Sequence, residues 1–333
     1  MKVSVIGAGS WGTALALYLA RLGHSPLLWV YEPDLAAILK DRRENTFFLP
    51  GHTLPETVRV TGDLGQAARE GEVLVLSVPA QHLRGVVRGL KPVLSKKARI
   101  VNTAKGIEKR TLARMSEVVS EELGDALTAY AALSGPTFAR EVARQMPSAA
   151  VLAGRNPEYC RTLQEEFSGP LFRFYRTDDL PGVELAGALK NVYALASGML
   201  KGLGFGSNSW AAMLTRAVHE MTRLCLVLGG RKETLSGLAG LGDLILTCSS
   251  PQSRNYQVGV LLGEGKPLPE ILASMRMVAE GVPTCEAALA LAGARGTELP
   301  IAAGVGAILF DGRSPAEVIR GLMTRSLKEE SQL

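Results

Sequence analysis

Short apolar runs alternate with longer segments of helical periodicity over the first half of the chain. The clearest apolar runs predict strands at Val3–Ile6, Pro26–Val30, Val73–Val78, Arg99–Thr103, Ala129–Leu133 and Ala149–Ala153. The intervening segments Thr13–Leu22, Leu83–Leu90 and Thr111–Leu123 carry apolar residues at helical spacing. Because strands that alternate with helices favour a parallel sheet covered on both faces, this half is predicted to be a doubly wound α/β domain.

The strand signals fade after about Asp178, and the rest of the chain predicts helices punctuated by glycine. These helices are expected at Val183–Leu200, Ser209–Leu228, Gln257–Leu262, Leu268–Ala273, Thr284–Ala292 and Pro315–Arg320. The pair Pro181–Gly182 breaks the chain. We therefore predict a sheet domain over residues 1–180 and an all-helical domain over 181–333, with a polar tail, 328–333, that frays.

Composition narrows the class of protein. A chain of 333 residues with 47% hydrophobic residues can build two domains with real cores, which excludes disorder and fibres. The net charge of +5 comes without the basic, aromatic-interleaved stripe of a nucleic-acid binder. No uncharged stretch approaches the roughly 18–20 residues of a membrane span, and the N-terminal apolar run is shorter than a signal peptide needs. The four cysteines and four histidines show neither disulfide nor metal-ligand spacing, so a cytoplasmic protein without a metal is expected.

The hexapeptide GAGSWG follows the first predicted strand and precedes the first predicted helix. This is the GxGxxG motif of Rossmann-type domains in its proper context. Gly7 allows the tight turn, Gly9 lets the backbone approach a pyrophosphate, and Gly12 lets helix and strand pack closely. The pyrophosphate then lies at a helix N-terminus. The motif therefore predicts a dinucleotide site, with Ser10 and Trp11 in contact with the cofactor.

The loop after the second strand leaves the choice of dinucleotide open. An acid about 20 residues beyond the motif usually binds the ribose 2′-hydroxyl of NAD, whereas an arginine accommodates the 2′-phosphate of NADP. Here the strand ends at Tyr31, Glu32 comes one place late, and no arginine is adjacent. The sequence excludes neither cofactor.

A bound nicotinamide implies hydride transfer, which needs a group that gives or takes a proton. None of the seven tyrosines is followed by lysine four places later, as in short-chain dehydrogenases, and the zinc ligands of alcohol dehydrogenases are missing. Lys190 lies in a predicted helix among small or largely apolar neighbours, Ala186, Gly187, Tyr193 and Ala194. Desolvation there would lower its pKa and suit it to proton transfer; a side chain that extends to solvent is the alternative.

Two turns lie at the carboxyl ends of predicted strands, where ligands bind in open α/β sheets. Lys105 follows the strand RIVNTA, and the segment Ser134–Thr137 follows AYAAL. Small hydrogen-bonding residues there can admit a substrate. Ordinary strand-to-helix turns are the alternative for both.

A third cluster lies between residues 237 and 255. The glycine-rich turn Gly240–Asp243 carries one acid, and Ser250 with Pro251 predicts a helix N-cap. Arg254 would then lie in the first helical turn, where an arginine can clamp a phosphate or carboxylate. A surface arginine is the alternative.

Together these segments resemble one family, the bacterial NAD(P)-dependent glycerol-3-phosphate dehydrogenases. The motifs that carry the resemblance occur in the family's order: GAGSWGTALA, NTAKGIE, SGPTFARE, LKNVYALASG, LAGLGDLILTC and QSRN. The resemblance implies interconversion of dihydroxyacetone phosphate and sn-glycerol 3-phosphate, chiefly as a reduction that feeds glycerophospholipid synthesis. It also implies a homodimer and a C-terminal domain like that of 6-phosphogluconate dehydrogenase.

The resemblance further implies roles for individual residues. Lys190 matches the family's proton acceptor for the alcohol, and Lys105 matches a residue shared by substrate and cofactor. The other implied substrate contacts are Gly135, Thr137, Asp243, Ser253, Arg254 and Asn255. The implied cofactor contacts, besides the glycines, are Ser10, Trp11, Tyr31, Lys105, Ala139, Arg254, Val278 and Glu280. Tyr31 stands where many members carry a basic residue, so a preference for NADPH is not implied.

The combined expectation is that Lys190, as an ammonium, protonates the alkoxide formed by hydride transfer. Lys105 would hold and polarise the substrate, Asp243 would orient Lys190, and Arg254 with Asn255 would clamp the phosphate. Two alternatives remain open. A β-hydroxyacid dehydrogenase shares this architecture and a lysine followed by asparagine, and a regulatory protein could bind NAD(P) without turnover.

Overall fold

A computed structural model describes residues 1–327 and 329–330. The predicted fraying of the tail falls mostly outside these residues. The chain forms two compact units: Met1–Ala104 with Met115–Leu180, and Lys105–Arg114 with the chain from Pro181 onward. The segment Lys105–Arg114 thus belongs to the second unit. That the first unit binds the dinucleotide and the second the substrate stays a prediction.

The first unit contains an eight-stranded sheet in the order β3-β2-β1-β4-β5-β6-β7-β8. The strands are β1 Val3–Ile6, β2 Leu27–Trp29, β3 Arg59–Thr61, β4 Val73–Leu76, β5 Ala98–Asn102, β6 Leu127–Ser134, β7 Ser148–Ala153 and β8 Phe172–Thr177. This confirms the doubly wound α/β class. However, the sheet is mixed, because β7 runs antiparallel to β6 while the other neighbouring pairs are parallel.

Two strands, β3 and β8, were not predicted from the sequence. They lie at the two edges of the sheet. In β8 the buried Phe172 and Phe174 alternate with exposed residues, and β3 is only three residues long. Edge strands of this kind do not form the continuous apolar runs that mark buried parallel strands.

Helices cover the sheet between successive strands. They are α1 Ser10–Arg21, α2 Pro33–Arg42, α3 Leu64–Glu70, α4 Leu83–Leu90, α5 Met115–Leu123, α6 Ala139–Ala143 and α7 Pro157–Phe167. The predicted helix from Thr111 begins only at Met115. Leu112 adopts a φ of 60°, a left-handed backbone conformation that a right-handed helix cannot include.

The second unit is helical, as predicted. Its helices are α8 Leu180–Gly202, α9 Ser207–Val227, α10 Lys232–Leu235, α11 Asp243–Ser249, α12 Arg254–Gly263, α13 Leu268–Ala273, α14 Gly281–Ala294, α15 Pro300–Phe310 and α16 Pro315–Met323. Two glycines let α8 and α12 touch backbone to backbone. A Cβ on Gly198 would lie 2.1 Å from the Tyr256 oxygen, and one on Gly259 would lie 2.1 Å from the Leu195 oxygen. Within the described residues, no helix is both long and apolar enough to cross a membrane.

Candidate active site

Two lysines of the second unit converge on one buried carboxylate. Lys190 Nζ donates to Asp243 Oδ1 at 2.5 Å, and Lys105 Nζ donates to Asp243 Oδ2 at 2.6 Å. Lys190 Nζ also donates to the hydroxyl of Thr247 at 2.7 Å. The cluster therefore brings two lysine side chains to a single carboxylate.

Local sequence explains how the carboxylate is placed. Asp243 is the first residue of α11, directly after a π-helical turn over Leu238–Gly242. A side chain at Gly240 would put Cβ 2.3 Å from the Leu235 carbonyl oxygen, so the turn requires glycine there. The flexible turn predicted for this segment is thus a helical turn that continues into α11.

The environment of Lys190 sets its protonation. It lies in the middle of α8, and its side chain is only 9% exposed, so it does not extend to solvent. Burial lowers the pKa of Lys190 to about 8; Lys105 acts in the same direction, and Asp243 opposes it. Burial alone would raise the pKa of Asp243, but the two lysines outweigh it and hold that pKa below its ordinary value. Lys190 can therefore exchange a proton near neutral pH while Asp243 stays ionised.

A chain of side-chain amide hydrogen bonds begins at the backbone of Lys105. Asn191 Nδ2 donates to the Lys105 carbonyl oxygen at 3.2 Å, and Asn255 Nδ2 donates to Asn191 Oδ1 at 2.9 Å. Asn255 Oδ1 then accepts from the Gly281 amide at 2.9 Å. These bonds tie the Lys105 segment, α8, α12 and the start of α14 together. They fix where the Lys105 backbone lies relative to α8.

Two residues that hydrogen-bond to Lys190 or to the Lys105 backbone were not assigned from the sequence. Asn191 directly follows Lys190, and Thr247 lies four residues after Asp243 on the same helix face. Residues four apart on a helix are neighbours, so the spacing of Asp243 and Thr247 is a signal for this contact. The signal can be used only once a helix is known to begin at Asp243.

The start of α12 differs from the prediction. Its N-cap is Ser253, whose side chain accepts from the Tyr256 amide at 3.2 Å. Ser250 instead accepts from the Gln252 amide in the preceding turn. Arg254 is consequently the first residue of α12, and its Nη1 donates to the Val278 carbonyl oxygen at 2.9 Å. Arg254, Val278 and Glu280, all predicted cofactor contacts, thus lie near one another, since Glu280 also interacts electrostatically with Arg254.

The glycine motif of the first unit forms a turn that fits a pyrophosphate. Gly7 has a φ of 114°, and a Cβ on Gly12 would lie 1.9 Å from the Gly7 oxygen, so the fold itself requires both glycines. A Cβ on Gly9 would meet nothing within 4 Å, which leaves open space beside the backbone. Helix α1 begins at Ser10, and its N-cap residue, Gly9, has no side chain that could bond the first amides of the helix. An anion can approach such a helix N-terminus closely.

The other predicted residues of the first unit lie after β6, at the start of α6 and after β2. Gly135 follows β6 with a φ of 140°, and the Thr137 hydroxyl donates to the Gly135 oxygen at 3.3 Å. Ala139 begins α6. Strands β4 and β5 lie between β6 and β1 in the sheet, but α6 packs against α1, the helix that follows the glycine turn. Tyr31, after β2, is 76% exposed.

A glycine turn shaped for a pyrophosphate and a buried lysine that titrates near pH 8 define a dinucleotide-dependent oxidoreductase. Family models agree over both halves. "NAD-dependent glycerol-3-phosphate dehydrogenase N-terminus" matches residues 2–160, and the corresponding "C-terminus" matches residues 179–320. The chain belongs to the NAD-dependent glycerol-3-phosphate dehydrogenase family.

Individual relatives extend over the whole chain. The glycerol-3-phosphate dehydrogenase [NAD(P)+] of Citrifermentans bemidjiense is 49% identical over 99% of this chain and 98% of its own length. A crystal structure of the Coxiella burnetii glycerol-3-phosphate dehydrogenase superposes with a TM-score of 0.94 at 40% identity, covering 97% and 99% of the two chains. D-mandelate dehydrogenase, at 13% identity and a TM-score of 0.63 over 94% of this chain and 98% of its own, shares the fold alone. The hydroxyacid and sensor alternatives are therefore not favoured.

Proposed function

We propose that this protein catalyses the reversible NAD(P)H-dependent reduction of dihydroxyacetone phosphate to sn-glycerol 3-phosphate, in support of glycerophospholipid synthesis. The observation that carries the proposal is the Lys190–Asp243–Lys105 cluster in a chain of this family. A sensor would have no use for a buried lysine that titrates near neutral pH. We further propose that the protein is a homodimer, as the family resemblance implies. We also propose a cytoplasmic location, which the four buried free cysteines support.

Lys190 is the proton donor in this mechanism. The bound dinucleotide supplies the hydride for the ketone carbon. The Lys190 ammonium protonates the developing alkoxide, and the neighbouring Lys105 ammonium stabilises its negative charge. Asp243 orients both ammonium groups. In the reverse direction, neutral Lys190 accepts the proton of the alcohol, which is feasible because its pKa is about 8.

Substrate recognition centres on the phosphate. Ser253, Arg254 and Asn255 lie at or next to the N-terminus of α12, where the helix dipole and a guanidinium favour an anion. Gly135 and Thr137 are the proposed contacts from the first unit. Ser10, Trp11, Ala139, Val278 and Glu280 are proposed cofactor contacts.

Absorbance at the reduced-nicotinamide band tests the reaction. Purified protein should oxidise NADH or NADPH with dihydroxyacetone phosphate but hardly with unphosphorylated dihydroxyacetone. Lys190→Ala should lower kcat by roughly 10²–10⁴-fold. Lys201→Ala, an exposed lysine near the end of the same helix, is the matched control and should leave kcat unchanged. Normal turnover of Lys190→Ala would contradict the mechanism, and no oxidation by the wild-type protein would contradict the function.

A further inference from the structure

We propose that the loop after β2 selects NADH over NADPH, with Glu32 as the selecting residue. This inference rests on the proposed function, since it concerns the cofactor of that reaction. It decides between the two dinucleotides, a choice that the sequence pattern left open.

The loop after β2 lies where the adenosine ribose of a dinucleotide is bound in this fold. Strand β2 lies beside β1, with Trp29 paired to Ile6, and the Gly7 amide donates to the Trp29 carbonyl oxygen at 3.1 Å. The chain beyond Trp29 therefore leaves the sheet next to the glycine turn. A dinucleotide with its pyrophosphate at that turn places its ribose at the end of β2.

Glu32 has an uncommitted carboxylate at this point. It is the N-cap residue of α2, yet its side chain makes no cap hydrogen bond. The side chain makes no hydrogen bond or ion pair with any residue in the described part of the chain. A half-buried carboxylate of this kind can accept hydrogen bonds from the ribose 2′- and 3′-hydroxyls, and an ionised acceptor makes such bonds strong.

The residues that flank Glu32 carry no positive charge for a 2′-phosphate. Between Leu27 and Leu39 the sequence has no lysine or arginine. Arg43 is engaged elsewhere, because its guanidinium donates to the carbonyl oxygens of Leu54 and Val58. A 2′-phosphate would therefore lack the arginine partner that NADP-binding loops supply.

The anionic groups at the start of α2 add repulsion. Asp34 lies in the first turn beside Glu32, and both carboxylates already offset the helix dipole that would otherwise attract a phosphate. Pro33, the first residue of α2, has no N–H to offer. Asp63, after the neighbouring β3, adds a third carboxylate, although Arg69 lies 3.6 Å from it.

Tyr31 supplies an uncharged surface at the same loop. Its ring is 76% exposed and packs edge-on against Trp29, with centroids 6.0 Å apart. An exposed aromatic ring can stack on adenine but cannot pair with a phosphate. The loop thus combines acceptors for hydroxyls with an apolar face, and both features favour the unphosphorylated ribose.

Direct binding titrations of NADH and NADPH, followed by nicotinamide fluorescence or calorimetry, test this inference without turnover. The wild-type protein should bind NADH about 10- to 100-fold more tightly than NADPH. This is the range expected when a 2′-phosphate loses the charge-assisted hydrogen bonds of the ribose hydroxyl and is repelled by the carboxylate. Glu32→Gln should weaken NADH and strengthen NADPH. Adding Tyr31→Arg to Glu32→Gln should reverse the preference. Asp41→Asn, which neutralises an 83% exposed carboxylate on the same helix, is the control and should leave the ratio unchanged.

Equal or tighter binding of NADPH by the wild-type protein would overturn the inference while leaving the proposed reaction intact. An unchanged ratio in Glu32→Gln would overturn the role of Glu32. Failure to bind either dinucleotide would instead overturn the proposed function itself. Because the Glu32 side chain makes no intramolecular bond, its replacement by glutamine should not affect folding, which circular dichroism checks.

Discussion

Burial lowers the pKa of Lys190 and Asp243 opposes that effect, so replacing Asp243 with asparagine should change the pH dependence of the reaction. Asp243→Asn keeps the shape of the side chain but removes the negative charge that Lys190 and Lys105 share. At an effective dielectric constant of about 20, a unit charge about 4 Å away contributes about 4 kcal/mol. Since a tenfold change in protonation is worth about 1.4 kcal/mol, losing that attraction should move the pKa of Lys190 from about 8 to below neutrality.

The direction of the effect follows from the form of Lys190 that each reaction needs. Reduction requires the ammonium, so wild-type kcat for reduction should fall as the pH rises through about 8, and kcat for oxidation should rise. In Asp243→Asn the fall should occur at lower pH, leaving little reductase activity at neutral pH. Lys105→Met removes a charge that lowers the pKa of Lys190, so it should move the fall in the opposite direction.

The assay is steady-state kcat for reduction and for oxidation, measured from about pH 5 to about pH 10. Circular dichroism establishes that each variant is folded, since breaking a buried ion pair costs roughly 3–5 kcal/mol. Lys105→Met keeps the test decisive if Asp243→Asn does not fold. Displacement of both profiles in the same direction, or no displacement in either, would refute the electrostatic coupling of Lys190 to its neighbours.

Four further variants test other parts of the structure. Arg254→Ala should chiefly raise KM for dihydroxyacetone phosphate; an unchanged KM in steady-state assays would argue against a phosphate clamp. Gly9→Ala should retain its melting temperature but bind dinucleotide more weakly in titrations, whereas Gly12→Ala should fold poorly, because its Cβ would lie 1.9 Å from a carbonyl oxygen. Glu220→Ala should lower the free energy of unfolding by about 1–3 kcal/mol, because the buried carboxylate accepts from Tyr193 and from two backbone amides at the start of α15. An unchanged denaturation midpoint would contradict this.

The elements that follow from local pattern were predictable. Buried strands such as β1 and β4 appear as apolar runs, and α4 has the predicted bounds, because burial of one face imposes a period on the sequence. Edge strand β8 and the late start of α5 were not predictable in this way. The first depends on pairing with β7, and the second depends on a left-handed Leu112 in a segment that belongs to the second unit.

The sequence by itself determined the glycine turn after β1 and the apolar surroundings of Lys190, since both arise from neighbours within a few residues. The family resemblance placed Lys190, Asp243 and Lys105 in one site, but only the tertiary structure decided that Lys190, 53 residues from Asp243, and Lys105, 138 residues from it, bond the two oxygens of the same carboxylate. It also decided that Ser253 rather than Ser250 caps α12. The physical reason is that a pKa depends on desolvation and on charges in space, and neither is specified until the helices pack.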